Sequence, residues 1–285
     1  MAEFFVRDPA TATAGPGLAL FLNAGDPPLD ALEDLVLMLD EEGVECLELA
    51  VPFPDSVTDG PVVRRSARRA LDRGTGLDDV LAFIARVRPK LHRLRIALLA
   101  DWSHSLKHRD LSAAARDIAA SGADGLLVHA LPPRLRTTYH AAARDAGLPV
   151  VTTCYQRSSE ATMAEAAAHA TAYLYLVAHY GRSGTAPAAG HAALAGTVAA
   201  LRARTTSPIA VGFGVRTRDD VEAVHACGAD AVIIGSAGVE RIERALDEGR
   251  DPVTGFRDFI RSVRPPVSPS ARPSRPNREL RNDHP

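Results

Sequence analysis

Cysteine is scarce in this sequence, and the few cysteines are scattered. The 285 residues contain three, Cys46, Cys154 and Cys227. An odd number of widely separated cysteines is not typical of a disulfide framework, and it lacks the paired spacing of structural zinc ligands. We therefore expect free thiols, no bound metal and a reducing, cytoplasmic compartment.

Long hydrophobic runs and an excess of one charge are also missing. No stretch reaches the roughly 18 apolar residues of a membrane span, and residues 1–17, which include Glu3 and Asp8, lack the apolar segment of a signal peptide. Thirty-three Lys and Arg residues stand against 35 Asp and Glu residues, a formal net charge of -2. We expect neither a membrane nor a nucleic acid as partner, because nothing offsets a phosphate backbone.

What the sequence has instead is a regular alternation of two kinds of segment. Eight short runs rich in Val, Ile and Leu alternate with longer stretches whose apolar residues recur every three or four positions, as in 29–42, 112–121 and 218–227. This is a βα pattern, and strands that are apolar on nearly every residue are typical of a parallel sheet buried on both faces. The predicted strands are 18–23, 46–51, 94–100, 125–131, 149–154, 172–177, 209–213 and 231–235.

Eight βα units close most simply into a barrel. The triplet Gly-Ala-Asp recurs at 122–124 and 228–230, each time between a helix and a strand, where glycine supplies a left-handed helix end. The first βα turn, 23–27, lacks the GxGxxG motif of open doubly wound sheets. We predict an α/β fold, a single (β/α)8 TIM barrel over 18–263 with an N-terminal segment 1–17 and a disordered Pro- and Arg-rich tail over 264–285.

The catalytic and binding residues of such barrels lie at the carboxyl ends of strands and in the loops that follow. In the second strand, alternation places Glu48 on the same face as Cys46 and Ala50, toward the barrel interior. Burial there raises the pKa of a carboxyl toward neutrality, which suits a group that gives and takes a proton. The alternative is a structural Glu48 paired with an inward arginine or lysine.

Three loops carry further candidates. Asp55 and Asp59 lie in the turn-rich loop 52–61, where either one faces the site or both serve as turn and capping residues. Glycine clusters follow the last two strands, at 212–214 and 235–238, where barrels bind phosphate, although a GxG is often only a tight turn. The small-residue run 181–190 after strand six is typical of a mobile lid or of an inert surface loop.

Glu48 within Leu-Glu-Leu-Ala-Val-Pro-Phe, the Asp59-Gly60-Pro61 turn, Gly-Phe-Gly and Gly-Ser-Ala together identify a resemblance. Over most of 18–246 the sequence resembles the tryptophan synthase alpha subunit family. The resemblance implies a retro-aldol cleavage of indole-3-glycerol phosphate to indole and glyceraldehyde 3-phosphate, without metal or organic cofactor.

The resemblance also implies roles for individual residues. Glu48 would be the general acid and base, and Asp59 would accept a hydrogen bond from the indole N–H. The implied substrate-binding residues are Phe21, Tyr175 and Gly184, with Ser183 keeping a hydroxyl in the lid, and the implied phosphate-binding residues are Gly184, Gly214, Gly235 and Ser236. Two candidates come from position instead: Trp102 after strand three for the substrate, and Gly212 of the first glycine cluster for the phosphate.

Departures from the family pattern lie mainly in loops that would meet a beta subunit. The lid reads Gly-Arg-Ser-Gly at 181–184 instead of Gly-Val-Thr-Gly. After strand three, Trp102 and its neighbours replace a usual Tyr and Asn. After strand four, His129-Ala130 lacks a usual Asp. We therefore predict intact chemistry with a weakened beta partnership. A stand-alone lyase that releases indole for secondary metabolism stands beside an ordinary subunit of tryptophan biosynthesis.

Two other functions remain open at this point. One is a related aldol-type enzyme that acts on another phosphorylated substrate, suggested by Trp102 and the altered end of strand four. The other is a catalytically silent homologue that binds a partner protein. The presence of both Glu48 and Asp59 argues against the silent homologue, because it has no chemical need for either.

Overall fold

The computed structural model describes residues 4–5, 15–178, 191–212 and 214–264. Within these ranges, strands alternate with helices along the chain. The strands are β1 Gly17–Asn23, β2 Cys46–Ala50, β3 Arg95–Asp101, β4 Gly125–His129, β5 Val151–Tyr155, β6 Tyr173–Val177, β7 Ile209–Gly212 and β8 Ala231–Ile234. The helices are α1 Leu29–Glu41, α2 Pro61–Asp72, α3 Leu77–Val87, α4 Leu111–Ala120, α5 Arg136–Asp145, α6 Glu160–His169, α7 His191–Arg202, α8 Arg218–Ala226, α9 Ser236–Asp247 and α10 Pro252–Val263. The predicted lid 181–190, Phe213 and the predicted tail beyond 264 lie outside the described residues.

The eight strands are parallel and form a nearly closed barrel. Their order is β4-β3-β2-β1-β8-β7-β6-β5, so that the first strand pairs with the last. Between β4 and β5 the described backbone forms a single bridge, Leu126 with Val150. The predicted (β/α)8 barrel is confirmed, and the predicted strands agree with the observed ones to within about two residues at each end.

Two layers of core hold the barrel together. Outward-facing strand residues and the apolar stripes of the helices form one large cluster, which includes Leu20 and Leu47 of the strands and Leu35 and Leu39 of α1. Inward-facing residues form a second cluster inside the barrel, which includes Cys46. This double burial explains why the strands read as nearly continuous apolar runs.

The repeated Gly-Ala-Asp turns have a shared structural role. Gly122 and Gly228 adopt φ values of +88° and +86° after α4 and α8, as a left-handed helix end requires. The aspartates that follow each bond to a neighbouring strand: Asp124 accepts a hydrogen bond from the backbone N–H of Ile96, and Asp230 accepts one from that of Ile209. The triplet thus ends a helix and anchors the next strand to the sheet.

The amino-terminal end of the barrel interior is filled by aromatic side chains. Phe4 and Phe5 are 3% and 2% exposed, and each ring packs edge-on against Tyr173 with centroids 5.3 Å apart. Phe4, Phe5 and Tyr173 form an apolar plug at this end. A Cβ at Gly17 would lie 2.7 Å from the Phe5 ring, so only glycine lets β1 come this close to the plug. The end of the barrel opposite the carboxyl ends of the strands is therefore packed with apolar side chains.

Among the helices that the structure describes, none has the length and apolar character needed to cross a membrane.

Candidate active site

A cavity of about 170 Å³ opens at the carboxyl end of the barrel. Side chains from the strands, or residues in the loops that follow them, contribute to its wall all around the barrel. A water molecule needs only about 10–15 Å³, so the cavity has room for a small organic molecule. Its lining residues include Phe21, Glu48, Leu99, Asp59, His129, Thr153, Tyr175, Gly214, Arg216, Ile233, Gly235 and Ser236.

Glu48 lies on the wall of this cavity in the middle of β2. Its neighbour in the register on β1 is Phe21, and the glutamate is 2% exposed. Burial raises the pKa of the Glu48 carboxyl to about 7, although a hydrogen bond from Tyr173 opposes the rise. The predicted inward orientation is confirmed, and the bonding partner of Glu48 is a neutral hydroxyl rather than an arginine or lysine.

Tyr173 bonds to Glu48 and was not predicted from the sequence. Its hydroxyl donates to Glu48 Oε1 at 2.7 Å and lies 3.9 Å from the Cys46 thiol, which donates to it. Phe4 and Phe5 pack edge-on against the Tyr173 ring from the amino-terminal end of the barrel. The available signal was strand alternation, because Tyr173 is two residues before Tyr175 on β6 and so shares its inward face.

Asp59 also reaches the cavity, from the loop between β2 and α2. Burial raises the pKa of its carboxyl, and a hydrogen bond with Ser56 and the charges of His129 and Arg64 act in the opposite direction. Asp55 in the same loop is exposed and has a φ of +56°, so it is a turn residue. Of the two carboxylates in this loop, Asp59 is the one that can contact a bound molecule.

A candidate anion-binding arrangement lies at the ends of β7 and β8. Gly214, with φ +74°, lies on one side, and Gly235 leads into α9, which begins at Ser236. The first turn of a helix presents backbone N–H groups without intrahelical partners and the positive end of the helix dipole. The buried hydroxyl of Ser236 has no hydrogen-bond partner among the described residues. An unsatisfied donor and a helix amino terminus in one cavity suit a phosphate group.

Some predicted site residues lie elsewhere. Gly212 is not among the described residues that line the cavity; a Cβ there would lie 2.8 Å from the Tyr175 hydroxyl, so this glycine makes room for that ring. Trp102 begins a π-helical turn after β3 and packs against the outer core, away from the cavity wall. This placement gives no support to a substrate contact by Trp102. Ser183 and Gly184 fall outside the described residues.

Two basic residues of the cavity wall had no role predicted from the sequence. His129 ends β4, and Arg216 follows β7. His129 stacks on Phe53, with ring centroids 5.8 Å apart, and His104 stacks on the same ring at 5.6 Å. Both could have been predicted from their positions in the sequence, because His129 lies near the carboxyl end of a predicted strand and Arg216 follows one, where barrels carry their functional residues.

These groups give the cavity two chemically different parts. One part has a buried carboxyl with a pKa close to neutrality beside the rings of Phe21 and Tyr175. The other has the helix amino terminus and the unpartnered hydroxyl of Ser236. The arrangement fits a molecule with an aromatic portion, where protons are moved, and an anionic portion that is held in place.

Comparison with known proteins agrees with this geometry. The sequence model of the tryptophan synthase alpha chain matches residues 10–264. The chain is 37% identical to the tryptophan synthase alpha chain of Geobacter sulfurreducens over 249 residues, 87% of this chain and 91% of that one. It is 34% identical to the alpha chain of Burkholderia multivorans, covering 91% and 94% of the two chains.

Solved structures show the same relationship. The tryptophan synthase subunit alpha of Legionella pneumophila superposes with a TM-score of 0.78 at 27% identity, over 87% of this chain and 91% of that one. The alpha subunit of Pyrococcus furiosus gives a TM-score of 0.77 at 26% identity, over 87% and 97% of the two chains. With the matched sequence model and relatives above 30% identity over most of their length, the chain belongs to the tryptophan synthase alpha chain family.

Proposed function

We propose that this cavity cleaves indole-3-glycerol phosphate to indole and glyceraldehyde 3-phosphate, the reaction of the family, and that Glu48 moves the protons. The observation that carries the assignment is the burial of Glu48, which brings the pKa of its carboxyl to about 7. At such a pKa both the acid and the carboxylate are populated near neutral pH, as a group that acts first as acid and then as base requires.

The reaction needs one proton delivered and one removed. Protonated Glu48 gives its proton to C3 of the indole ring, which produces a cationic indolenine. The carboxylate then accepts the proton of the glycerol hydroxyl next to the ring as the carbon–carbon bond breaks. The electrons of that bond return to the ring and restore indole, while the hydroxyl carbon becomes the aldehyde. Glu48 ends in the protonation state in which it began.

Asp59 and the helix end would hold the two ends of the substrate. As a carboxylate, Asp59 accepts a hydrogen bond from the indole N–H and stabilises the positive charge of the protonated ring. The backbone N–H groups near Gly214, Gly235 and Ser236 would bind the phosphate, with the Ser236 hydroxyl as a further donor. Because both ends of the substrate are held, the carbon–carbon bond that breaks is positioned beside Glu48.

The direct test is the reaction itself. The purified chain is incubated with indole-3-glycerol phosphate, and indole and glyceraldehyde 3-phosphate are measured separately. We expect the two products in equal amounts, with a rate that depends on enzyme concentration. No product, either alone or with an added tryptophan synthase beta subunit, would overturn the assignment and favour another phosphorylated substrate or a silent homologue.

A beta subunit is the partner that we propose for the catalytic face. Val57 is 83% exposed and lies two residues before Asp59, so a protein bound there would act directly on the catalytic loop. Adding a beta subunit should raise the rate of cleavage, and Val57→Asp should abolish this increase while leaving the unassisted rate within about twofold. An unassisted rate that equals the assisted rate would instead favour a stand-alone lyase.

A further inference from the structure

The charges on the cavity wall are unbalanced for a phosphorylated substrate. The wall already carries the Asp59 carboxyl, with Glu48 protonated at the start of the proposed reaction, and a phosphate monoester adds about 1.5 to 2 negative charges near pH 7. The helix amino terminus at Ser236 supplies only about half a positive charge. Among the described residues that line the cavity, Arg216 is the only arginine or lysine.

The position of Arg216 connects the two sides of the anion-binding arrangement. It lies two residues after Gly214, in the loop between β7 and α8, where its backbone N–H donates to Asp220 at 2.9 Å. Its guanidinium reaches across to α9 and donates to Glu240 Oε2 at 2.5 Å. Glu240 is four residues, about one turn, beyond Ser236. The side chain therefore extends from the loop after β7 to the helix after β8.

We propose that Arg216 binds the phosphate of the substrate and thereby determines specificity for a phosphorylated substrate. The guanidinium has five N–H donors, so one edge can remain on Glu240 while others bind phosphate oxygens. Glu240 is then a positioning residue that holds the guanidinium against α9, one turn beyond Ser236. The inference rests on the proposed function, because it assumes that the phosphate end of the substrate lies at Ser236.

Replacing Arg216 by glutamine tests the inference, since glutamine keeps a polar side chain but removes the charge. For Arg216→Gln we expect KM for indole-3-glycerol phosphate to rise about tenfold, as for the loss of a charge-assisted hydrogen bond at a half-exposed site, with kcat within about twofold. The inhibition constant of glycerol 3-phosphate should rise by about the same factor. Binding of indole, which has no phosphate, should not change.

Arg244→Gln is the matched control. Arg244 also approaches Glu240, at 3.9 Å, but does not line the cavity within the described part of the chain. Its KM and its glycerol 3-phosphate inhibition constant should match the wild-type values. Arg216→Lys, which keeps the charge but not the fork of donors, should fall between wild type and Arg216→Gln.

Two results would overturn the inference. One is an Arg216→Gln enzyme whose KM and glycerol 3-phosphate inhibition constant both stay within twofold of wild type. The other is an equal weakening of indole binding, which would mean a general disturbance of the cavity. If wild type does not cleave the indolyl substrate at all, the proposed function fails, while direct binding of glycerol 3-phosphate to wild type, Arg216→Gln and Arg244→Gln still tests Arg216.

Discussion

The two ends of the barrel interior are built from the same inward-facing strand positions but have opposite properties. At the amino-terminal end, Cys46, Ala97 and Ala210 belong to a packed apolar cluster. At the carboxyl end, Thr153 and Tyr175 line an open cavity. The difference shows that alternation along a strand selects which residues face inward, whereas position along the strand decides whether they pack or react.

Glu48 and Tyr173 lie at the boundary between these two ends. The Tyr173 ring belongs to the apolar plug, and its hydroxyl is bonded to a carboxyl of the cavity. The apolar plug helps to bury the Glu48 carboxyl, and burial raises the pKa of that carboxyl. The packed end of the barrel therefore tunes the chemistry of the open end.

The largest expected effect is on the rate, at the open end. Glu48→Gln removes the titrating group while keeping its size, and we expect turnover of indole-3-glycerol phosphate to fall by about two to four decades. Indole release measures the loss, and Glu41→Gln on the exposed face of α1 is the matched control. A loss of less than tenfold would remove Glu48 from its assigned role.

At the packed end, we expect a substitution to affect stability. Phe5→Ala empties part of the plug and should lower the free energy of unfolding by about 3–5 kcal/mol, as for other buried phenylalanines. Urea unfolding measures the change, and Val57→Ala, at an exposed position, should cost little. A Phe5→Ala protein with the same free energy of unfolding as wild type would contradict the packing role of this end of the barrel.

Because Glu48 is buried at the boundary between the two ends, its titration should make the free energy of unfolding depend on pH. The Glu48 pKa is about 7 in the folded protein and 4.5 as its ordinary value. Below pH 4.5 the group is neutral in both states; as pH rises to about 7, the unfolded state loses its proton first, so stability falls by about 3 kcal/mol, at 1.36 kcal/mol per pKa unit.

This fall is measured by urea unfolding between pH 4.5 and 8, as the difference between wild type and Glu48→Gln. The Gln variant lacks the titrating group and serves as the baseline. Glu243 has its pKa lowered to about 2 by Arg65 and Arg69, so it loses stabilising energy only as pH drops below about 4.5, outside this range. A difference that stays constant with pH would mean that Glu48 is solvated in the folded protein.

The smallest effect should come from the hydrogen bond that joins the two ends. The hydrogen bond from Tyr173 to Glu48 Oε1 lowers the pKa of the Glu48 carboxyl. Because Tyr173→Phe removes this donor, the pKa of Glu48 should rise by about one unit in the variant. The corresponding limb of the pH–rate profile should move to higher pH. Tyr139→Phe removes a buried hydroxyl that donates to the Leu126 carbonyl instead, and should leave the profile in place. A profile shifted to lower pH would contradict the role of Tyr173.

Much of the candidate site follows from the strand pattern. Glu48 was predictable because a charged residue in an apolar strand needs a function or a partner, and the fold rule places it at the catalytic end. Gly235 and Ser236 were predictable from a glycine-rich segment after the last strand. The roles given to them remain predictions to be tested by the experiments above.

Contacts across the barrel were not predictable in this way. Nothing local distinguishes Tyr173 from Tyr175, although only the first is bonded to Glu48, 125 positions away in the chain. Trp102 was assigned to the substrate from its place after β3, but the π-helical turn carries it onto the outer core. Gly212 was assigned to phosphate from its neighbours, although its place beside the Tyr175 ring gives it a packing role.

The sequence by itself determined the parallel barrel, its inward-facing positions and the end at which chemistry takes place, because periodicity and turn glycines are local properties of the chain. Only the tertiary structure decided which residues meet: Phe4 and Phe5 beneath Tyr173, the tyrosine hydroxyl on Glu48, and Arg216 beside Glu240. The physical reason is that closing the barrel brings distant strands together, and burial, which sets the pKa of Glu48, is a property of that assembly.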